Sequence, residues 1–150
     1  MAFFADLGGI DYFPVADPSA LRAIGWLARG HEFPRGEVSR EFFDRLCALL
    51  ASPWEPLASG GSHSCELCRF SGGPAEIRWG HTVVAMGASN LFVPGAGVIY
   101  VAPSSIAHYV DAHHYAPPEE FVAAVLRCPD TRTMEYKRLL LANGGRGLFG

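Results

Sequence analysis

The runs His63-Ser64-Cys65-Glu66-Leu67-Cys68 and His108-Tyr109-Val110-Asp111-Ala112-His113-His114-Tyr115 decide how the rest of the chain is read. The first holds Cys-x-x-Cys and the second His-x-x-x-x-His, and a tetrahedral Zn²⁺ site is assembled from two such pairs at turn and helix spacing. Between them, Asn90 to Val101 reads as two short strands, rich in β-branched and aromatic residues, around Gly95-Ala96-Gly97. Pro103 suits the entry to a helix because its missing N–H costs nothing there, and Ser104 is placed to accept from first-turn amides, so a helix through His114 is expected. The order is Cys knuckle, hairpin and His-bearing helix. It is the ββα order of Cys₂His₂ zinc fingers, with a longer insertion before the His pair.

This spacing nominates Cys65, Cys68, His108 and His113 as ligands of one Zn²⁺. Residues five apart on an ideal helix point about 140° from each other. His108 and His113 therefore converge only where the last turn loosens, and Pro117, which disfavours helical geometry at Ala116, gives a reason for it to do so. His114 and then His63 are the competing ligands. The alternative for the whole constellation is a redox pair, or small buried thiols, beside ordinary surface histidines. A thioredoxin-like Cys-x-x-Cys sits between a strand and a long helix, however, whereas Gly60, Gly61, Gly72, Gly73 and Pro74 flank this one. His31, in a loop beside Glu32, and His81, at a turn, stand outside the set.

Further motifs carry a resemblance. They are Phe3-x-x-Asp6-Leu7 with Tyr12, Gly25-Trp26-Leu27, His31-x-Phe33-Pro34-x-Gly36-x-Val38, His63-x-Cys65-x-x-Cys68, Ala75-Glu76-Ile77-Arg78, Ile99-Tyr100-Val101-Ala102-Pro103 and His108-Tyr109-x-x-x-His113-x-Tyr115-x-Pro117-Pro118-x-Glu120-Phe121. Over residues 1–128 the chain resembles a family of small, mostly stand-alone bacterial proteins classed as a domain of unknown function. The resemblance implies a metal-binding site and no known reaction. Residues 79–89 are an insertion relative to that family.

The 150 residues, 49% apolar and 18% charged, suit a single α+β domain over 1–150, and 17 Gly with 11 Pro suit a loop-rich one. The expected architecture is a small antiparallel sheet of about four strands with about four helices around the knuckle, hairpin and helix unit. An apolar arm over 1–16 crosses the core, and a strand is read in 21–27, with two more in 76–79 and 82–86. Ser39 caps a helix over 39–51, and further helices follow over 118–127 and 133–142. In the last of these Met134, Leu139 and Leu140 are expected inward, and 146–150 is expected to fray.

A net charge of −3, from 12 Lys and Arg against 15 Asp and Glu, supplies no field for phosphates and argues against nucleic acid. No stretch reaches the ~18 apolar residues of a membrane span, and no signal-peptide pattern opens the chain. The expected compartment is the cytosol, with Cys47 and Cys128 as buried thiols. Neither Gly-x-Ser-x-Gly nor a phosphate-binding Gly-Lys-Ser/Thr occurs, and the Gly-x-Gly-x-x-Gly of 145–150 lacks the strand and helix that would make it a dinucleotide site.

Three functions remain. The favoured one is a zinc-stabilised module that binds another protein, with Phe3, Phe4, Tyr12, Phe13, Tyr109, Tyr115 and Tyr136 as candidates for an exposed aromatic surface. The second is a small, hydrolase-like zinc metalloenzyme using Cys65, Cys68 and His108, with water and either Glu66 or Asp111. It lacks the His-x-Glu of the zinc deaminases. The third, a nucleic-acid-binding zinc protein, is opposed by charge.

Overall fold

In the computed structural model, residues 3–15, 17–56, 64–68, 71–87 and 89–149 are described. Along the chain lie β1 (Leu21–Ala23), α1 (Arg40–Ala51), β2 (Glu76–Trp79), β3 (Thr82–Ala85), β4 (Asn90–Pro94), β5 (Ile99–Pro103), α2 (Ile106–His113), α3 (Glu119–Arg127) and α4 (Met134–Ala142), then a 3-10 turn at Arg146–Phe149. The class is α+β, as expected.

The near-continuous apolar runs of β4 and β5 are buried at every position, and this is the pattern of strands covered on both faces. They form the expected antiparallel hairpin, with Phe92 opposite Val101. β1 then joins β5 in parallel, Ala23 beside Val101, so the sheet is mixed with order β1-β5-β4. β2 and β3 pair only with each other, Ile77 opposite Val84, and the expected single four-stranded sheet is instead two sheets. The reason lies in side-chain alternation. Only one face of β2–β3 is apolar enough to bury, and it lies against α1, with Phe43 and Trp79 meeting edge to face at 4.8 Å.

Ser39 caps α1 by accepting the Phe42 N–H at 3.1 Å, and the helix buries Phe42, Phe43, Leu46, Cys47, Leu49 and Leu50. α3 starts after Pro118 with Glu119 and Glu120 in its first turn and buries Phe121, Ala124 and Val125. In α4, capped by Thr133, the buried pair is Tyr136 and Leu140. Met134 lies about 200° around the helix from Tyr136 and is 65% exposed, so the expectation that it points inward is corrected. Leu139 is half-buried. The tail does not fray up to Phe149. Gly145 N–H bonds Leu140 O at 2.8 Å and turns the chain so that Leu148 is buried and Phe149 reaches Trp54.

The N-terminal arm pairs its backbone with β1 through Leu7 and Gly8 and buries Ile10 and Phe13. None of the seven aromatics named above is exposed. Phe13, Tyr109, Tyr115 and Tyr136 are buried, and Phe3, Phe4 and Tyr12 are half-buried. Among the described residues no helix is long and apolar enough to cross a membrane.

Candidate metal centre

The chain enters α2 later than its sequence suggests. Pro103 completes β5, Ser104 Oγ accepts from Ser89 N–H instead of capping a helix, and Ser105 occupies the N-cap position without a side-chain bond. The far end carries the geometry that matters. His114 is the C-cap in the left-handed region (φ 57°, ψ 28°), an arrangement that costs a non-glycine residue about 1–3 kcal/mol. Its N–H reaches back five residues to Tyr109 O, and Tyr115 N–H shares that acceptor at 3.1 Å. The turn that closes α2 therefore returns to Tyr109 O over five and six residues rather than the four of an α-helical turn, and it follows directly on His113.

Several contacts fix this turn. Gly36 N–H donates to His114 O and Ala116 N–H to Pro34 O, each at 3.0 Å, so the 34–36 loop runs antiparallel to residues 114–116. The fully buried Tyr115 donates its hydroxyl to Asp6 Oδ2 at 2.8 Å, while Asp6 Oδ1 accepts Gly25 N–H at 3.0 Å. Desolvation raises the Tyr115 pKa, with the Asp6 carboxylate adding to it, so the phenol stays a proton donor.

The knuckle is held from the other side. Cys65 N–H donates to Gly72 O, closing the loop onto itself. Arg29 donates Nε and Nη2 to the Glu66 carbonyl at 3.1 and 2.9 Å. Gly73 has φ +90°, and a Cβ there would stand 2.8 Å from Cys65 Cβ and 3.6 Å from His108 Nε2. Only glycine fits this close approach in this backbone conformation.

Cys65, Cys68, His108 and His113 come together so that their ligand atoms all lie within 4.8 Å of one another. Cys68 Sγ is 3.3 Å from His108 Nε2 and 3.5 Å from His113 Nε2, and Cys65 Sγ is 3.5 Å from His113 Nε2. A tetrahedral ion with bonds of about 2.3 Å to sulfur and about 2.0–2.1 Å to nitrogen sets S and N roughly 3.5 Å apart. Two thiol protons cannot satisfy three such S···N approaches with both imidazoles accepting, whereas one cation satisfies all four lone pairs at once. These residues fit a metal ion, and together they form a group that could hold one.

The electrostatics favour the ligating forms of the imidazoles. Burial lowers the His108 pKa, aided by His113 and opposed by Asp111. Burial likewise lowers that of His113, aided by Arg35 and His114. Both shifts favour the neutral imidazole, the form that ligates. Burial raises the Cys65 thiol, so a bound cation would be what stabilises its thiolate.

His114 is exposed and lines a cleft on the neighbouring surface rather than joining the four. His63 lies outside the described residues. His31 stacks on Phe3 with centroids 3.7 Å apart, and His81 is exposed at the β2–β3 turn. Sequence reasoning missed Arg29, Asp6 and the close approach at Gly73. For the last, the tandem Gly72-Gly73 just after the knuckle was the available signal.

Fold and side-chain cluster together define an α+β protein with a Cys₂His₂ group that could hold a metal ion. The chain belongs to the family described as a domain of unknown function (DUF7919), which matches residues 2–126. This agrees with the resemblance read from residues 1–128. No curated protein and no solved structure matches the chain.

Proposed function

We propose that this protein is a zinc-clamped, non-catalytic module that binds another protein, with Zn²⁺ on Cys65, Cys68, His108 and His113 joining the knuckle to α2. The observation that carries the reading is the fourth protein donor. Four ligand atoms within 4.8 Å of one another supply the number of donors a closed tetrahedral site needs, whereas a catalytic zinc keeps one position for water. Two sulfurs and two imidazole nitrogens suit Zn²⁺ better than the oxygen-seeking Mg²⁺ or Ca²⁺. The hydrolase-like reading ranks second because His113 takes the place its water would need. The buried free thiols Cys47 and Cys128 suit a reducing cytosol.

The test is metal analysis of the purified protein with X-ray absorption at the metal edge. One zinc per chain with a first shell of two sulfurs and two nitrogens is expected, together with no turnover of model esters or amides. A water oxygen replacing one nitrogen, or hydrolysis that depends on the metal, would put the metalloenzyme first. Absence of any stoichiometric ion would remove the clamp.

A further inference from the structure

On the outer side of α2, the metal-bearing helix faces an open cleft of about 330 Å³. Its walls are the loop before α1, the first turn of α1, β2 and the last turn of α2. The floor is apolar, made by Phe43, Trp79 and Val110, and the rim carries Glu37, Arg40 and Asp111. This volume lies at the lower end of what a specific side-chain or small-ligand pocket occupies, roughly 300–1,000 Å³.

The lining tells which chemistry the cleft accepts. The Trp79 ring is held in place, edge to face with Phe43 at 4.8 Å and with its indole N–H donated to Asp44 Oδ1. A guanidinium already sits over it, since Arg40 Cζ lies 5.9 Å from the ring centroid. That distance is near the outer limit of an effective cation–π contact, about 6 Å, so the place over the ring is held loosely. The carboxylates of Glu37 and Asp111 make no hydrogen bond or ion pair among the described residues. An anion entering here would meet both carboxylates, and the α1 N-terminus that could attract it is already capped by Ser39 Oγ. A planar cation on an apolar stem matches the floor and the rim together.

We propose that the cleft receives an arginine side chain from a basic protein partner, its guanidinium replacing Arg40 over Trp79 and pairing with Asp111 and Glu37. The proposal rests on the reading of this protein as a protein-binding module and names the chemistry of its partner. Arginine is favoured over lysine because its planar group both stacks on indole and bridges carboxylates. A net charge of −3 supports approach of a basic surface.

The experiment uses the full, metal-loaded chain, ¹⁵N-labelled, titrated with the capped tripeptide Gly-Arg-Gly and with its citrulline and lysine counterparts. The arginine peptide is expected to move the Trp79 indole N–H and the Asp111 and His114 amides with an affinity in the millimolar range, about 4 kcal/mol. The neutral citrulline isostere should not bind. Asp111→Asn should weaken binding about fivefold, the scale of one partly exposed cation contact. Arg40→Gln should strengthen it by vacating the ring. Equal response to citrulline, equal binding of lysine, weakening by Arg40→Gln, or no response in a chain shown to carry its metal would each overturn the proposal. Arginine binding by a chain purified without metal would leave the cleft standing and overturn the zinc clamp.

Discussion

Strands β4 and β5 are buried along their whole lengths, whereas the knuckle at Cys65 and Cys68, with its return through Gly72 and Gly73, contains no regular element among the described residues. The first region is apolar side chains excluding water, with Leu91, Val93, Ile99, Val101, Phe121 and Val125 in one cluster. The second is polar atoms converging without enough protons to satisfy them, tied down by Arg29 and by one backbone bond within the loop. The two regions touch through α2, whose Ile106, Ala107 and Tyr109 belong to the core while His108 and His113 belong to the corner. The difference teaches that two kinds of interaction hold this chain, apolar burial and convergence of ligand atoms, and the expectation is that each can be removed with the other left in place.

The largest break is Cys68→Ser, which is expected to abolish stoichiometric metal. Circular dichroism of this variant, or of the chelated protein, should retain most of the helical signal of α1, α3 and α4, because their buried faces do not involve the ion. Collapse of that signal would show that the metal organises the whole chain. Phe121→Ala addresses the other side. Removing this fully buried ring, which meets Phe42 and Tyr100, should cost about 3–5 kcal/mol in denaturant unfolding while metal content stays at the wild-type level. Loss of the ion along with stability would dissolve the distinction.

Gly73→Ala should weaken metal binding by roughly 1–3 kcal/mol in competition with a chromophoric chelator, since it adds strain and a Cβ at the corner itself. Gly80→Ala is its control. That position also has positive φ (+61°) but open space around it, so stability should drop without a change in metal affinity. The smallest effect lies along the pH axis. Burial places the folded pKa of His108 and His113 below 6.5, so protons compete for these ligands only under more acid conditions. Followed by NMR in the metal-free protein, the ring signals of both histidines should titrate with midpoints below pH 6.5, while a midpoint above pH 6.5 would show imidazoles more basic than this environment allows.

The ligand corner was more legible in the sequence than the sheet was. Cys-x-x-Cys and His-x-x-x-x-His are local patterns whose spacing carries geometry, and Pro117 announced a disturbed helix end. The actual device, a left-handed His114 with bonds returning to Tyr109 O, needed the 34–36 loop and Asp6 from distant parts of the chain. The hairpin of β4 and β5 was legible because its strands flank a Gly-rich turn. The parallel pairing of Leu21–Ala23 with Ile99–Val101 was not, since nothing local in three residues specifies a partner so far along the chain. Of the seven aromatics offered as a candidate surface, four are buried and three half-buried, in keeping with where large rings normally lie. Met134 was misplaced by counting apolar residues on α4 without the longer reach of Tyr136.

Tyr136 also bears on where this fold ends. The Val101 carbonyl receives Ile24 N–H and the Trp26 indole, so it faces β1, and Phe92, opposite Val101, turns its own carbonyl toward the unpaired side of β4. The Tyr136 hydroxyl donates to that carbonyl at 2.5 Å from within the core. α4 thus supplies a partner for one carbonyl on the open edge of β4, the side where a further strand would otherwise pair. The family match stops at residue 126, so Tyr136 and the rest of α4 lie beyond it. The matched segment carries Cys65, Cys68, His108 and His113, while the hydroxyl that meets the free edge of its sheet comes from the helix beyond it.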